Sequence, residues 1–137
     1  MNGEAIELEM PMAVSENKYR RIVPGCSHPV ISSEGRKYHE TAKAIFRQSG
    51  QVPIKGRVKV EVEFYPPDWR RRDLDNLFKC LFDSLVNAGA IEDDHLITEI
   101  HAFKRDPVPN GLLFVRITKY EDDRAEILPD GGGQRRI

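Results

Sequence analysis

The chain has 137 residues, 39% of them hydrophobic and 31% charged, which is enough for one domain with one core. The composition excludes a collagen-like or disordered chain. No apolar run approaches the roughly 20 residues of a membrane span, and the acidic N-terminus lacks the basic start of a secretory signal.

The formal net charge is −1, but the charges are unevenly distributed. Residues 18–72 hold 13 Lys and Arg against five acids, whereas residues 73–137 hold eight bases against 13 acids. A basic segment beside an acidic one suits a protein that binds phosphates and also a cation, and ordinary surface scatter is the alternative. Cys26 and Cys80 lie far apart in sequence, which argues against a disulfide framework or a zinc site. We therefore expect a cytoplasmic protein with reduced thiols.

The chain opens with a short strand and a long loop. Residues 5–10 predict a strand that Pro11 ends, and residues 12–33 are loop-like. This loop carries the basic run Lys18-Tyr19-Arg20-Arg21.

A helix and a strand follow the loop. Residues 34–47 predict a helix, because apolar side chains recur at helical spacing, and Ser32 or Ser33 is its candidate N-cap. Strict alternation over residues 57–64 predicts a strand with one buried face. The side chains on that face are Val58, Val60, Val62 and Phe64.

The second half of the chain predicts a helix and two strands. Residues 75–88 form the strongest helical pattern, and Gly89 suits the position after the helix end. Residues 96–104 and 112–119 predict strands that pair as an antiparallel hairpin, and residues 120–137 predict a disordered tail. The fold class is therefore α/β (α+β), a small single domain over residues 1–119. Its order is β-α-β-α-β-β, with a mixed β-sheet of about four strands and two main helices.

Three charged groups near the second predicted helix are candidates for metal binding and catalysis. They are the Arg70-Arg71-Arg72 triplet, the Asp73-Leu-Asp75-Asn76-x-x-Lys79 segment and the Glu92-Asp93-Asp94 cluster. Carboxylates without His or Cys suit Mg²⁺ or Mn²⁺, and such an ion polarises a phosphoryl oxygen. The arginines would hold backbone phosphates, and Lys79 would stabilise charge developing on phosphate. Trp69 is a candidate to stack on a base or ribose, and a packed core residue is the alternative.

Each group also has a structural explanation. Asp75 fits a plain N-cap and Asp73 a turn residue. Lys79 fits a helical pair with Asp75 or Asp83, and Asp93 with Asp94 fits a solvated turn. A helix of about 14 residues is also about 20 Å long, so its two ends cannot share one ion. A common site requires a sharp return of the chain, a partner subunit or a shorter helix.

The motifs together resemble the RusA family of Holliday-junction resolvases. The segment from Arg70 to Lys104 matches the family's Arg-rich stretch, D-[LI]-D-N-x-x-K, amphipathic helix, Gly and D-D. The openings PMAVSENKY and S-E-G-x-x-Y match as well, although Ala13-Val14 replaces a second Pro, and the resemblance covers about residues 5–119.

This resemblance implies a Mg²⁺-dependent endodeoxyribonuclease, with Mn²⁺ as a substitute. It implies a homodimer that nicks four-way junction DNA symmetrically in recombination and repair, in a bacterial or phage-infected cell, with no membrane and no nucleotide cofactor. Asp73, Asp75 and Asp94 would be the essential acids and metal ligands, with Asp93 a further candidate ligand and Lys79 the supporting base. The DNA-binding candidates are Lys18, Arg20, Arg21, Trp69, Arg70, Arg71, Arg72 and Asn76.

Three other functions fit the same residues. They are a junction-binding protein that does not cut, a less selective branched-DNA nuclease, and an interaction protein whose acids only cap helices. The sequence leaves open the preferred cleavage dinucleotide, the number of metal ions, the dimer interface, the role of residues 120–137, and whether host repair or phage DNA processing is served.

Overall fold

The computed structural model describes residues 5–121 of the chain. The strands are β1 (Ala5–Met10), β2 (Arg20–Arg21), β3 (Val30–Ile31), β4 (Val58–Tyr65), β5 (Ile97–Lys104) and β6 (Leu112–Lys119). The helices are α1 (Glu16–Tyr19), α2 (Ser33–Ser49) and α3 (Phe78–Asn87). Short 3₁₀ turns at Leu74–Leu77 and Asp94–Leu96 precede α3 and β5. The predicted tail falls almost wholly on residues 122–137, which lie outside the described part.

The main sheet has four strands in the order β1-β6-β4-β5. Strand β4 is antiparallel to β6 and parallel to β5, and β1 is antiparallel to β6. The fold class and the mixed sheet are therefore as predicted. A second, two-stranded ribbon joins β2 to β3 in the loop that the sequence left without structure.

The predicted hairpin between the last two strands is wrong, because β4 lies between β5 and β6. The connection between them crosses the end of β4. Its backbone is tied there by Arg105 N–H to Phe64 O, at 2.7 Å, and by Val108 N–H to Pro66 O, at 2.9 Å. A parallel β4–β5 pair needs a long crossover, which α3 supplies, and the chain then passes over β4 to form β6.

Local signals explain the bounds of the helices. The Ser32 hydroxyl accepts from Gly35 N–H at 3.1 Å, and Gly50 adopts a left-handed conformation at the end of α2. Helix α3 is shorter than the helix predicted over residues 75–88, because the first three of those residues belong to a 3₁₀ turn. Tightened turns of this kind are frequent at helix N-termini. Gly89, with φ of 86°, follows α3 as expected.

The core lies between one face of the sheet and helices α2 and α3. The alternating side chains of β4 are buried as predicted, and β1 and β6 bury theirs on the same side. Tyr38, Ala42 and Phe46 from α2 and Leu81 and Leu85 from α3 complete this core. No helix among residues 5–121 is long and apolar enough to span a membrane.

Candidate active site

Asp73 and Asp75 lie at the entry to α3, and both residues are exposed. Asp73 occupies the N-cap position of the 3₁₀ turn, but its side chain makes no capping hydrogen bond. Asp75 lies inside the turn, and its backbone carbonyl accepts from Phe78 N–H. The alternative that Asp75 is a plain N-cap is therefore wrong, and the Asp73 carboxylate is not used to cap the turn.

A cleft of about 640 Å³ opens beside Asp73. Its apolar lining comes from the β1–α1 loop, β4 and the 3₁₀ turn, through Met12, Ala13, Val14, Phe64 and Leu77. Its polar lining is Ser15, Lys18, Glu34, Arg71, Arg72, Asp73 and Asn76. The fold thus brings one predicted acid together with four of the predicted DNA-binding residues.

Asp68, which was not among the predicted site residues, holds the arginine segment through hydrogen bonds. It accepts from Arg72 Nη1 at 2.7 Å, from Arg70 N–H at 2.9 Å and from Arg70 Nη2 at 3.3 Å. The hydrogen bond from Arg72, and then that from the Arg70 backbone, hold the pKa of Asp68 well below its usual range. The Arg72 side chain is the more enclosed of the two, 24% exposed against 79% for Arg70. The sequence signal for the Asp68–Arg72 pair was an acidic residue four positions before an arginine.

The remaining DNA-binding candidates are exposed. Trp69 is 79% exposed, so the alternative that it packs in the core is wrong. Arg20 and Arg21 form the exposed strand β2 of the ribbon. Contacts of these three side chains with nucleic acid stay a prediction.

A second cleft, of about 410 Å³, runs along α3. It is lined by Ile31, His39, Lys79, Asp83, Val86, Asn87, Asp93 and Asp94. Lys79 Nζ lies 3.3 Å from Asp83 Oδ1, so the helical pair foreseen for Lys79 forms with Asp83. Asp94 therefore shares a cleft with Lys79, whereas Asp73 lines the other cleft.

The Asp93 carboxylate is already hydrogen-bonded within its own turn. It accepts from His95 N–H at 3.2 Å and lies 3.1 Å from His95 Nδ1. Hydrogen bonds from the His95 side chain and backbone lower the pKa of Asp93. This is the turn that the structural explanation foresaw for Asp93. His101 on β5 is also exposed, and its Nε2 lies 2.7 Å from Glu99 Oε2.

The predicted acids do not form one cluster within the described chain. Among residues 5–121, no three His, Cys, Asp or Glu side chains are grouped so as to hold a metal ion. Helix α3 has ten residues, about 15 Å. The shorter helix foreseen as one solution is therefore present, but it does not by itself unite Asp73 with Asp94.

A hydrogen-bonded network behind Lys79 was not foreseen. The Tyr19 hydroxyl donates to Asp83 Oδ2 at 2.7 Å and lies 2.8 Å from His39 Nε2. Tyr19 is fully buried, although it lies in a segment that was predicted to be a loop. Only the spacing of Lys79 and Asp83 was visible in the sequence, because the contacts with Tyr19 and His39 are long-range.

Comparison with known proteins gives matches over most of the chain. The family model for the endodeoxyribonuclease RusA matches residues 9–118. A crossover junction endodeoxyribonuclease of Enterobacteria phage HK97 is 41% identical over 92 residues, 66% of this chain and 77% of the relative. Enzymes of the same name from Enterobacteria phage 82 and Shigella sonnei are 35% and 36% identical. These two alignments cover 82% and 87% of this chain and 92% and 97% of the relatives.

Proposed function

The chain belongs to the RusA family of endodeoxyribonucleases, and on that premise we propose that it is a Mg²⁺-dependent crossover junction endodeoxyribonuclease. Its substrate is four-way junction DNA, which it resolves by paired symmetric nicks in DNA recombination and repair. The protein works as a homodimer, because a junction with two-fold symmetry calls for two equivalent active sites. It acts in the cytoplasm of a bacterial or phage-infected cell.

The observation that carries this proposal is the cleft beside Asp73. An exposed carboxylate that caps nothing lies there among Lys18, Arg71 and Arg72. Basic side chains attract the phosphate backbone and fix its register. A carboxylate in the same place would repel a phosphate unless a cation lay between them. The cleft is therefore suited to phosphate and cation together.

The donor set fits a hard cation. Asp73 and Asp75 offer only carboxylate oxygens, and Mg²⁺ is usually held by one or two carboxylates together with substrate phosphates and waters. A bound Mg²⁺ would polarise the scissile phosphate and lower the pKa of a water nucleophile. Asp73 lines the cleft, and Asp75 follows it two residues later inside the adjoining turn, so these are the two carboxylates that one chain would supply on this side of α3.

Asp94 and Lys79 complete the proposed machinery from the second cleft. Asp94 is the third essential acid, and Asp93 is a weaker candidate because its carboxylate already serves His95. The Lys79 ammonium stabilises negative charge that develops on the phosphate. Their separation from Asp73 in one chain makes the assembly of the dimer on DNA part of the proposal.

The test is nicking of a labelled, fixed four-way junction against a linear duplex of the same sequence. We expect paired nicks on the junction only, with Mg²⁺ and not with EDTA. Asp75→Asn should reduce nicking by about 100-fold or more, because it removes a charged ligand, and should leave junction binding in Ca²⁺ intact. Asp106→Asn removes an equally exposed acid in the loop after β5 and serves as the matched control.

Other results would assign a different function. Tight junction binding without nicks would identify a binding protein, and equal cutting of other branched DNA would identify a less selective nuclease. Full activity of Asp75→Asn would contradict its assignment as a metal ligand. Indifference to both DNAs would leave the acids with structural roles only.

A further inference from the structure

Four polar side chains from three helices form a continuous chain of contacts behind the second cleft. His39 on α2 contacts the hydroxyl of Tyr19 at the end of α1, at 2.8 Å. That hydroxyl donates to Asp83 Oδ2 at 2.7 Å, and Asp83 Oδ1 lies 3.3 Å from Lys79 Nζ. Tyr19 is fully buried, whereas His39, Asp83 and Lys79 line the cleft, and the Lys79 side chain is 37% exposed.

The network has a fixed direction. A phenol has one proton to donate, and Tyr19 gives it to Asp83. His39 Nε2 must therefore carry a hydrogen and donate to the Tyr19 oxygen. Burial raises the pKa of Tyr19 and lowers the pKa of His39, so both are neutral near neutral pH. All donors then point toward the one carboxylate.

This direction distinguishes the Lys79–Asp83 pair from an ordinary pair on a helix surface. An isolated pair four residues apart holds neither side chain in one place, because both are long or rotatable. Here Tyr19 occupies one oxygen of Asp83 and fixes the plane of the carboxylate. The other oxygen is thereby presented to Lys79 from a constant position.

We propose that Tyr19 and Asp83 are positioning residues that hold the Lys79 ammonium at the phosphate in the transition state. This inference rests on the proposed function, because it deepens the role given there to Lys79. His39 supports the same arrangement by donating to Tyr19. The network thus links the N-terminal α1 segment, remote in sequence from the acids, to the rate of strand cleavage rather than to the affinity for DNA.

The direct test is Tyr19→Phe, which removes one oxygen and keeps the ring. We expect kcat for junction nicking to fall by about 10- to 100-fold, the effect of a misplaced group, while the Kd for the junction in Ca²⁺ stays unchanged. Asp83→Asn should lower kcat at least as much, because a neutral amide cannot form an ion pair with the ammonium. In a Lys79→Ala background, neither substitution should lower kcat further, since groups acting through one residue are not additive.

Tyr38→Phe is the matched control. The Tyr38 hydroxyl donates to Pro11 O at 2.6 Å, and Tyr38 is also buried, but its hydroxyl is bonded to that backbone carbonyl instead of to Asp83. It should lose stability comparable to Tyr19→Phe, measured as Tm, and keep wild-type kcat. If Tyr19→Phe does not fold, Asp83→Asn in the two Lys79 backgrounds gives the same comparison.

The outcomes separate this inference from the function on which it rests. A wild-type protein that does not nick the junction would overturn both. A wild-type protein that nicks, with full kcat for Tyr19→Phe, would overturn the positioning role alone. An equal loss of kcat with and without Lys79 would assign Tyr19 a merely structural role and would also overturn it.

Discussion

Single side chains in the arginine segment differ in what they are free to do. The Asp68 carboxylate accepts from the Arg72 side chain and from both the backbone N–H and the side chain of Arg70, so these two arginines are partly committed within the protein. Arg71 lines the cleft beside Asp73 and is exposed. Three consecutive arginines therefore divide into one that is anchored, one that is loosely paired and one that is available to a phosphate.

This difference predicts unequal effects on DNA binding. Arg71→Ala should weaken junction binding and reduce the slope of log K against log salt by about one, the loss of one phosphate contact. Arg70→Ala should change the slope less, because its side chain pairs with Asp68 and does not line the cleft. Titration of a fluorescent junction at several salt concentrations measures both slopes. Equal slopes for wild type and Arg71→Ala would show that this side chain does not contact DNA.

His39 predicts a pH dependence of stability. Burial lowers its pKa in the folded protein below the ordinary 6.5, although Asp83 and Glu40 act in the opposite direction. The unfolded chain then binds the proton more tightly, so stability is complete above pH 6.5 and is lost as the pH falls below it. His39→Gln keeps an N–H donor for Tyr19 and removes this titration.

Thermal melting between pH 8 and pH 5 checks this prediction. The Tm of the wild type should fall more steeply below about pH 6.5, the ordinary His value, than that of His39→Gln. Parallel curves would contradict it, because they would mean that His39 takes up its proton equally in the folded and unfolded chain.

The sequence predicted the residues of the candidate site only where they are close to one another along the chain. Asp73, Asp75 and the arginines were found because they stand next to one another. The pairing of Lys79 with Asp83 was foreseen as an alternative because both lie on one helix face. Tyr19 and His39 were missed, since they lie 64 and 20 residues from their partners Asp83 and Tyr19 in the network. No local pattern encodes such contacts.

Elements with strong periodicity were predicted closely, and their pairing was not. Strands β1 and β6 have the predicted bounds, and β4 and α2 differ from prediction by one or two residues. The strand order of the sheet depends on the path of the chain after β5. Backbone hydrogen bonds from Arg105 and Val108 to the end of β4 fix that path. The ribbon β2–β3 has only two residues per strand, too few for a periodic signal.

The packing of α1 against α2 depends on a glycine. A Cβ at Gly35 would lie 2.7 Å from Tyr19 Cδ1 and 2.8 Å from Ile31 Cγ2. Gly35→Ala should therefore cost about 1–3 kcal/mol of unfolding free energy, typical of overpacking, and should displace the Tyr19 ring. Urea unfolding measures the cost, with Lys37→Ala on the exposed face of α2 as the control. Unchanged stability of Gly35→Ala would show that α1 can shift to accommodate the added methyl group without a cost in free energy.

Charged side chains of both signs lie in the two clefts and on the open face of the sheet. The two clefts gather Lys18, Arg71, Arg72 and Lys79 with the acids around α3. The face of the sheet opposite α2 and α3 carries glutamates from β1 and β4, paired in part with bases, as in Arg116 with Glu7 at 3.1 Å. The clefts therefore hold basic side chains and carboxylates together, as the proposed binding of phosphate and a cation requires.

The proposed dimer predicts how cleavage divides between protomers. If each protomer cuts one strand of a symmetric junction, a dimer of one wild-type and one Asp75→Asn chain should nick only one strand. On a supercoiled plasmid with an extruded cruciform, the wild-type dimer should yield linear DNA because the two nicks are paired. The mixed dimer, purified through two different tags, should yield nicked circles, and a wild-type dimer with the same tags controls for the purification. Linear product at the wild-type rate from the mixed dimer would mean that one protomer can cut both strands, and the argument from two-fold symmetry would then fail.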